Sequence, residues 1–340
     1  MAFYKKIRTY DDTEDIFEGS KRLKSIHYPN KKKRIAENLL TLRHDLRQKI
    51  SAKNSGNLIV GSWNIQNFDN GIQRLDESNH YIAEIIDCFD LCAVQEVRDN
   101  LDALERIMRL LGPNWDYFVS DVTVGDRGNS ERMAFLYDTN RVFFRKRIGE
   151  IIPENNHVAR NPFFAAFQSG WFRFTLCSTH VTFDSDLDKR RAEIKEISDI
   201  LLRRAMDDRE IYIFLGDMNI KSNDDPVFVS MRDEGWNVKE FGSTTTGASA
   251  SKYDKMAFTE KANHVKYESH GSYDWRSSVF RPDEEDYFER VKMAMRGSGF
   301  GTHHMNNYNH FMGLEMSDHL PIWIELKTDY SERYLNEMIS

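Results

Sequence analysis

Five short apolar runs, each bordered by polar or charged residues, constrain the fold of this chain more than any other feature. They are Leu58-Ile59-Val60-Gly61-Ser62-Trp63, Leu91-Cys92-Ala93-Val94, Phe172 to Ser178, Tyr212-Ile213-Phe214-Leu215 and Ile322-Trp323-Ile324-Glu325-Leu326. Runs of this length, rich in β-branched and aromatic residues, read as buried strands. They fall well short of the roughly 20 apolar residues of a membrane-spanning helix. Between them lie stripes at helical spacing: Ile82, Ile85, Ile86 and Phe89; Leu101, Leu104, Ile107, Met108 and Leu111; Leu187, Ile194, Ile197 and Leu201. Buried strands interspersed with amphipathic helices predict a layered α/β domain. Around Met133–Tyr137 and Val142–Ile152 strands follow each other without a helix, so the sheets are expected to be mixed.

Composition narrows the class. With 40% hydrophobic and 12% aromatic residues, the chain has enough apolar surface for a large core, which excludes disorder as its dominant state. The first twenty residues contain no apolar h-region, so no secretory signal is expected. Cys88, Cys92 and Cys177 sit among apolar residues without zinc-type spacing. They read as reduced core thiols, and a cytoplasmic location with no membrane partner is the expectation.

The formal net charge of −7 hides an asymmetry: residues 1–57 carry 14 Lys and Arg against 7 Asp and Glu. In this basic head Lys31-Lys32-Lys33-Arg34 precedes Ile35, Leu39, Leu42, Leu46 and Ile50, one face of an amphipathic helix. The basic run could touch nucleic acid or simply be a solvated helix start. The apolar face over residues 31–50 could mediate self-association or a partner contact, or pack in cis. The expected organisation is a basic helical extension at 1–57, a main α/β domain at 58–327 and a C-terminal tail at 328–340. Gly242 to Ser251 reads as a surface loop, and within 266–316 only a helix near Glu284–Met295 is expected.

Chemistry-bearing residues sit at the strand ends, where α/β proteins expose reactive groups. Asn64 follows the first strand; its amide could orient a metal ligand or a phosphate oxygen, or merely form a turn. Glu96 ends the second, as a ligand for a hard divalent ion or as one half of an ion pair. His180 ends the third, as a general acid or base or as a structural histidine. Asp217 and Asn219, after the fourth, would face one side of an extended segment and suit a water nucleophile beside a phosphate, or else form a capped turn. Asp318 and His319 precede the fifth, pairing a metal ligand with an acid/base group. Glu131 and Asp254 are two further carboxylates of the kind that raise a histidine's pKa.

Together, Ser-Trp-Asn-Ile at 62–65, Gln-Glu-Val-Arg-Asp at 95–99, Ser-Thr-His at 178–180, Gly-Asp-Met-Asn at 216–219 and Ser-Asp-His-Leu-Pro at 317–321 resemble the endonuclease/exonuclease/phosphatase superfamily. Within it the chain is most similar to the pancreatic-type deoxyribonucleases, over roughly residues 58–327. Gly-Asp-x-Asn with Ser-Asp-His is specific in combination. The resemblance implies a two-sheet α/β sandwich of the deoxyribonuclease I-like type, here with an N-terminal helical extension. It also implies Mg²⁺-dependent cleavage of a phosphoester by water, with Mn²⁺ or Ca²⁺ as alternative ions. By motif, Glu96 resembles the main metal ligand, with Asn64 and Asp318 beside it. Asp217 and Asn219 resemble the pair that activates water and holds the phosphate. His180 and His319 resemble the two phosphate-contacting histidines, backed by Glu131 and Asp254. Arg98, with Asn64, falls among the substrate contacts; it sits where deoxyribonucleases place a minor-groove arginine.

The chain departs from those enzymes in the basic helical head, which lies outside the resemblance, and in three further ways. The DNA-stacking aromatic near the position of Asn129 is missing, Lys255 replaces an arginine after the Tyr-Asp pair, and the structural disulfide has no counterpart. The expected function is a Mg²⁺-dependent endonuclease that nicks DNA. The alternatives are a phosphomonoesterase or phospholipase of the same superfamily, acting on an inositol phosphate or a phospholipid, and a non-catalytic binding module.

Overall fold

A computed structural model describes the chain except for residues 1, 19–20, 69–72, 123–130, 153–157, 159, 184, 242–250, 260–266, 290–307 and 340. In chain order its elements are β1 (Thr13–Glu18), β2 (Lys21–His27), α1 (Lys31–Lys49), β3 (Asn57–Phe68), α2 (Asp76–Ile86), β4 (Leu91–Arg98), α3 (Asp102–Leu111), β5 (Trp115–Val119), β6 (Glu131–Asp138), β7 (Phe143–Glu150), β8 (Phe163–Ser169), β9 (Phe172–His180), α4 (Leu187–Asp208), β10 (Ile211–Asp217), α5 (Pro226–Asp233), β11 (Trp236–Val238), β12 (Asp254–Thr259), β13 (Tyr267–Ser272) and β14 (Ile322–Lys327). Short helices also span Tyr308–Glu315 and Ser331–Glu337.

Two six-stranded sheets carry the fold, ordered β13-β14-β3-β4-β6-β5 and β11-β12-β10-β9-β8-β7. Only β3/β4 and β9/β10 run parallel among their neighbours, so both sheets are mixed as expected. The sheets face each other across one core. Leu58, Val60, Leu91, Ala93 and Phe135 of the first sheet meet Phe167, Phe174, Leu176, Ile213 and Met256 of the second. The alternate residues of β3, Ile59, Trp63 and Ile65, point the other way, into a layer formed with α1, α2 and α3. On the second sheet Cys177, Tyr212 and Phe214 are covered by Ile194, Ile197 and Leu201 of α4 and by Phe228 of α5. Strands buried on both faces need apolar residues at every position, which is why their runs are unbroken. The result is an α/β/β/α sandwich.

The basic head is built into this sandwich. Ile35, Leu39, Leu42, Leu46 and Ile50 are all buried within the chain, in the core that includes α2. Of the readings left open for residues 31–50, packing in cis is the one found, and the apolar face offers no surface for self-association. Half of the basic run is also consumed internally. Lys31 is buried between Glu14 at 2.6 Å and Asp76 at 2.8 Å. Arg34 reaches Glu284 at 2.8 Å and Glu77 at 3.3 Å and lies 4.3 Å above the Tyr287 ring. Of the four basic residues that could touch nucleic acid, Lys32 and Lys33 remain exposed.

The antiparallel β1–β2 hairpin and β13 were not anticipated. The helix expected near Glu284–Met295 is present as helical residues 285–289, and the remainder lies outside the described residues. So do residues 242–250 of the expected surface loop and the position of Asn129. The three cysteines are free thiols, Cys92 and Cys177 fully buried. Among the described residues no helix is long and apolar enough to cross a membrane.

Candidate active site

Strand register delivers the site. On the second sheet Asp217, the last residue of β10, lies opposite His180 on parallel β9 and opposite Asp254 on antiparallel β12. Three site residues thus come from adjacent strands at one level. On the first sheet Asn64 pairs with Gln95, and the register then shifts in both pairings of β4. Glu96 occupies that irregularity with φ +60°, a left-handed conformation that re-aims its side chain. Gly216 is required where it stands: its φ is +132°, and a Cβ there would overlap the carbonyl oxygen of Thr179. Its absence of a side chain lets β10 lie against β9 immediately before Asp217 and His180.

Polar contacts stitch the two sheets together at this end. Asn64 Nδ2 donates to Glu96 Oε1 at 2.9 Å and to Asp217 Oδ2 at 3.2 Å. Glu96 Oε2 accepts the Asn67 amide at 2.7 Å. Gln95 Nε2 donates to Ser178 Oγ at 2.9 Å, bridging β4 to β9. The Ser317 hydroxyl donates to the Asn64 carbonyl at 2.6 Å and accepts the amides of Gln66 and His319 at 3.1 and 3.0 Å. Trp63 Nε1 donates to the His319 carbonyl at 3.0 Å. These bonds fix the His319 loop to β3.

Asp217 Oδ2 stands 3.7 Å from His180 Nε2 and 3.6 Å from His319 Nε2. Each imidazole has its own carboxylate on the far side. His319 Nδ1 is hydrogen-bonded to Asp254 Oδ2 at 2.8 Å, and His180 Nδ1 lies 3.2 Å from Glu131 Oε2. Burial favours the neutral form of both rings, but the carboxylates outweigh it. His180 is raised above the usual histidine value by Glu131 and Asp217, against burial and Arg160. His319 is raised well above it by Asp254 and Asp217. Glu131 is lowered despite burial, through His180, Arg160 and Arg98. Both histidines are thereby prepared to act as cations and proton donors.

Two expected site residues sit differently than their motifs suggested. Arg98 does not project outward: its side chain is 11% exposed, donates to Asn67 Oδ1 and lies 3.8 Å from Glu131. It belongs to the charge network behind His180 and is not a protruding groove contact in this conformation. The segment through Asn219 is not extended either. The chain turns there with φ +51°, the Asn219 amide N–H donates to Asp217 Oδ1 at 3.0 Å, and its Nδ2 donates to the Val181 carbonyl at 2.7 Å. Asn219 thus also holds the loop that follows His180. Asp318 is exposed beside buried His319.

Arg160 was not foreseen. Its Nε is 3.0 Å from Glu131 Oε2, and it donates to the His180 carbonyl at 3.3 Å. No motif surrounds it in sequence, and only the fold brings it to Glu131. Lys255 is buried beside Asp254, its ammonium donates to the Lys252 carbonyl, and burial pulls its pKa down to about 8.

Among the described residues no cluster of three or more His, Cys, Asp or Glu side chains forms a ready-made metal cage. The donors present fit an open site better. Asp318 is exposed and Glu96 half-buried. Asn64 Oδ1 is buried with no hydrogen-bond partner among the described residues. This oxygen-only set suits a hard divalent ion that keeps several waters and takes one or two carboxylates plus substrate oxygens.

A profile of the endonuclease/exonuclease/phosphatase family matches residues 61–291. Deoxyribonuclease-1-like 2 of Mus musculus is 24% identical over 297 residues, covering 80% of this chain and 92% of that protein. Deoxyribonuclease-1 of Equus caballus is 24% identical over 218 residues, covering 58% and 76%. The crystal structure of an endonuclease/exonuclease/phosphatase family protein from Bacteroides thetaiotaomicron superposes with a TM-score of 0.54 at 16% identity, covering 82% of this chain and all of that one.

Proposed function

The chain belongs to the endonuclease/exonuclease/phosphatase family, and from that premise we propose that it is a Mg²⁺-dependent phosphodiesterase that nicks DNA. One observation carries the reading: two carboxylate-backed imidazoles converge on the single oxygen Asp217 Oδ2. Hydrolysis of a phosphodiester by water needs a proton acceptor on the nucleophile's side. It also needs donors for the phosphoryl oxygens and the leaving oxygen. Asp217, with Asn219 beside it, takes the proton of the attacking water as its oxygen bonds to phosphorus. The bond from phosphorus to the leaving oxygen breaks, and one of the cationic histidines gives that oxygen a proton. The other imidazolium holds a non-bridging oxygen. A divalent ion held by Glu96, with Asn64 and Asp318 beside it, would supply charge neutralisation at the phosphate.

DNA is favoured as substrate because both curated relatives above are deoxyribonucleases. The test is supercoiled plasmid incubated with purified protein and Mg²⁺. Nicking that disappears in both His180→Ala and Asp217→Ala supports the reading. An intact plasmid, with an inositol phosphate or phospholipid hydrolysed instead, overturns it in favour of a phosphatase or phospholipase.

A further inference from the structure

Phe183 is 68% exposed, three residues beyond His180. A solitary exposed aromatic is unremarkable on a protein surface, but this one is held in place by groups tied to the catalytic strands. The Arg190 guanidinium lies 5.2 Å from its ring centroid, and the Tyr253 ring meets it edge-on at 6.4 Å and 73°. Arg190 also donates to the carbonyl of Asn219, and the Tyr253 carbonyl accepts the Met218 amide at 3.0 Å. Tyr253 immediately precedes Asp254, the partner of His319. The ring is thus fixed at the rim of the site while most of its surface faces solvent.

We propose that Phe183 is a stacking platform for an unpaired nucleobase next to the scissile phosphate, an inference that rests on the phosphodiesterase reading above. An aromatic face accepts any base, because every base has a π-face. That face must be bare. Inside a duplex both faces of a base are covered by its neighbours, so the base that fits is in a single strand, a gap, a loop or a frayed end. Arg190 adds a cation beside the ring, suited to the phosphate next to the stacked base. A phosphosugar or inositol phosphate has no π-face to offer. The platform therefore selects nucleic acid over those substrates, and unpaired strands over paired ones.

The experiment uses the full chain with Mg²⁺ and a single-stranded deoxyoligonucleotide carrying one cleavable phosphodiester, flanked either by thymines or by abasic tetrahydrofuran sites. Phe183→Ala is expected to raise KM for the thymine substrate by about 5- to 100-fold, and Phe183→Trp to restore it. KM for the abasic substrate should be the same in wild type and Phe183→Ala. An unchanged KM on thymine, or an equal loss on both substrates, overturns the stacking role while leaving the phosphodiesterase intact. Failure of the wild type to cleave either oligonucleotide while it still nicks plasmid overturns this inference alone; failure on both plasmid and oligonucleotides overturns the reading on which it rests.

Discussion

His180, at the end of β9, and His319, in the loop that precedes β14, aim their Nε2 atoms at the same oxygen, Asp217 Oδ2, from 3.7 and 3.6 Å. Such a shared centre predicts strong non-additivity. Asp217→Asn preserves the shape of the side chain but removes its capacity to accept a proton. It should lower kcat/KM by about 10²- to 10⁴-fold. Combining it with His180→Ala should cost little more than the worse single substitution. Steady-state kinetics on an oligonucleotide substrate measure this, and independent, multiplicative losses would argue that the residues do not act as one unit.

The pH profile follows from the far-side carboxylates. His180 is raised by Glu131, against the downward pull of burial. In Glu131→Gln that support is gone, the histidine loses its proton at lower pH, and the alkaline limb of kcat/KM should move toward acid. Asp254→Asn should act likewise through His319. The stability sign is the same. A histidine raised in the folded state stabilises it fully below its unfolded value of about 6.5 and loses that contribution as pH rises through the folded value. Urea midpoints should therefore fall more from neutral to alkaline pH in wild type than in His319→Gln. An unmoved alkaline limb in both carboxylate variants would remove these pairs from the proton chemistry.

Gly216→Ala is predicted to damage both stability and activity. The left-handed φ costs about 1–3 kcal/mol for a residue with a side chain, and the overlap with the Thr179 carbonyl adds to it. Relief requires β9 and β10 to separate beside His180 and Asp217. Urea unfolding should show the loss, and residual folded enzyme should show reduced kcat. A variant as stable and active as wild type would contradict the close approach of these strands.

The head tests differently from a detachable extension. Leu42 is fully buried, so Leu42→Ala should cost about 2–5 kcal/mol. Removing residues 1–57 should leave a chain that does not fold cooperatively, because the core that includes α2 loses its α1 contacts. Circular dichroism and urea titration measure both. A soluble, fully active 58–340 fragment would show that the head is dispensable.

Much of this architecture is legible in the sequence because strands buried on both faces leave an unambiguous record. The runs at Leu58, Leu91, Phe172, Tyr212 and Ile322 all fall within strands β3, β4, β9, β10 and β14. Most of the candidate site residues are legible for the related reason that they flank those runs: Asn64, Glu96, His180, Asp217 and Asn219 at or just after their ends, Asp318 and His319 just before the last. What periodicity cannot reveal is which surface a face will meet. The stripe on α1 is as clear as any other, yet only the fold shows that α2 covers it. Side-chain direction is equally hidden. Arg98 lies in a recognisable motif but turns toward Asn67 and Glu131, because the irregularity at Glu96 reorients the end of β4. Arg160 shows the opposite limit: a residue without a motif is brought to Glu131 purely by tertiary packing.

The central claim is that Glu96 and Asn64 hold a divalent ion beside the Asp217 centre for phosphodiester hydrolysis. The most direct measurement is the plasmid-nicking rate of wild type and Glu96→Gln, each titrated with Mg²⁺ and each repeated in EDTA. The account predicts that wild-type nicking is abolished by EDTA and restored by Mg²⁺. It also predicts that Glu96→Gln, still folded, needs far more Mg²⁺ to reach a much lower rate. Undiminished nicking in EDTA, or a wild-type Mg²⁺ dependence in Glu96→Gln, would contradict it.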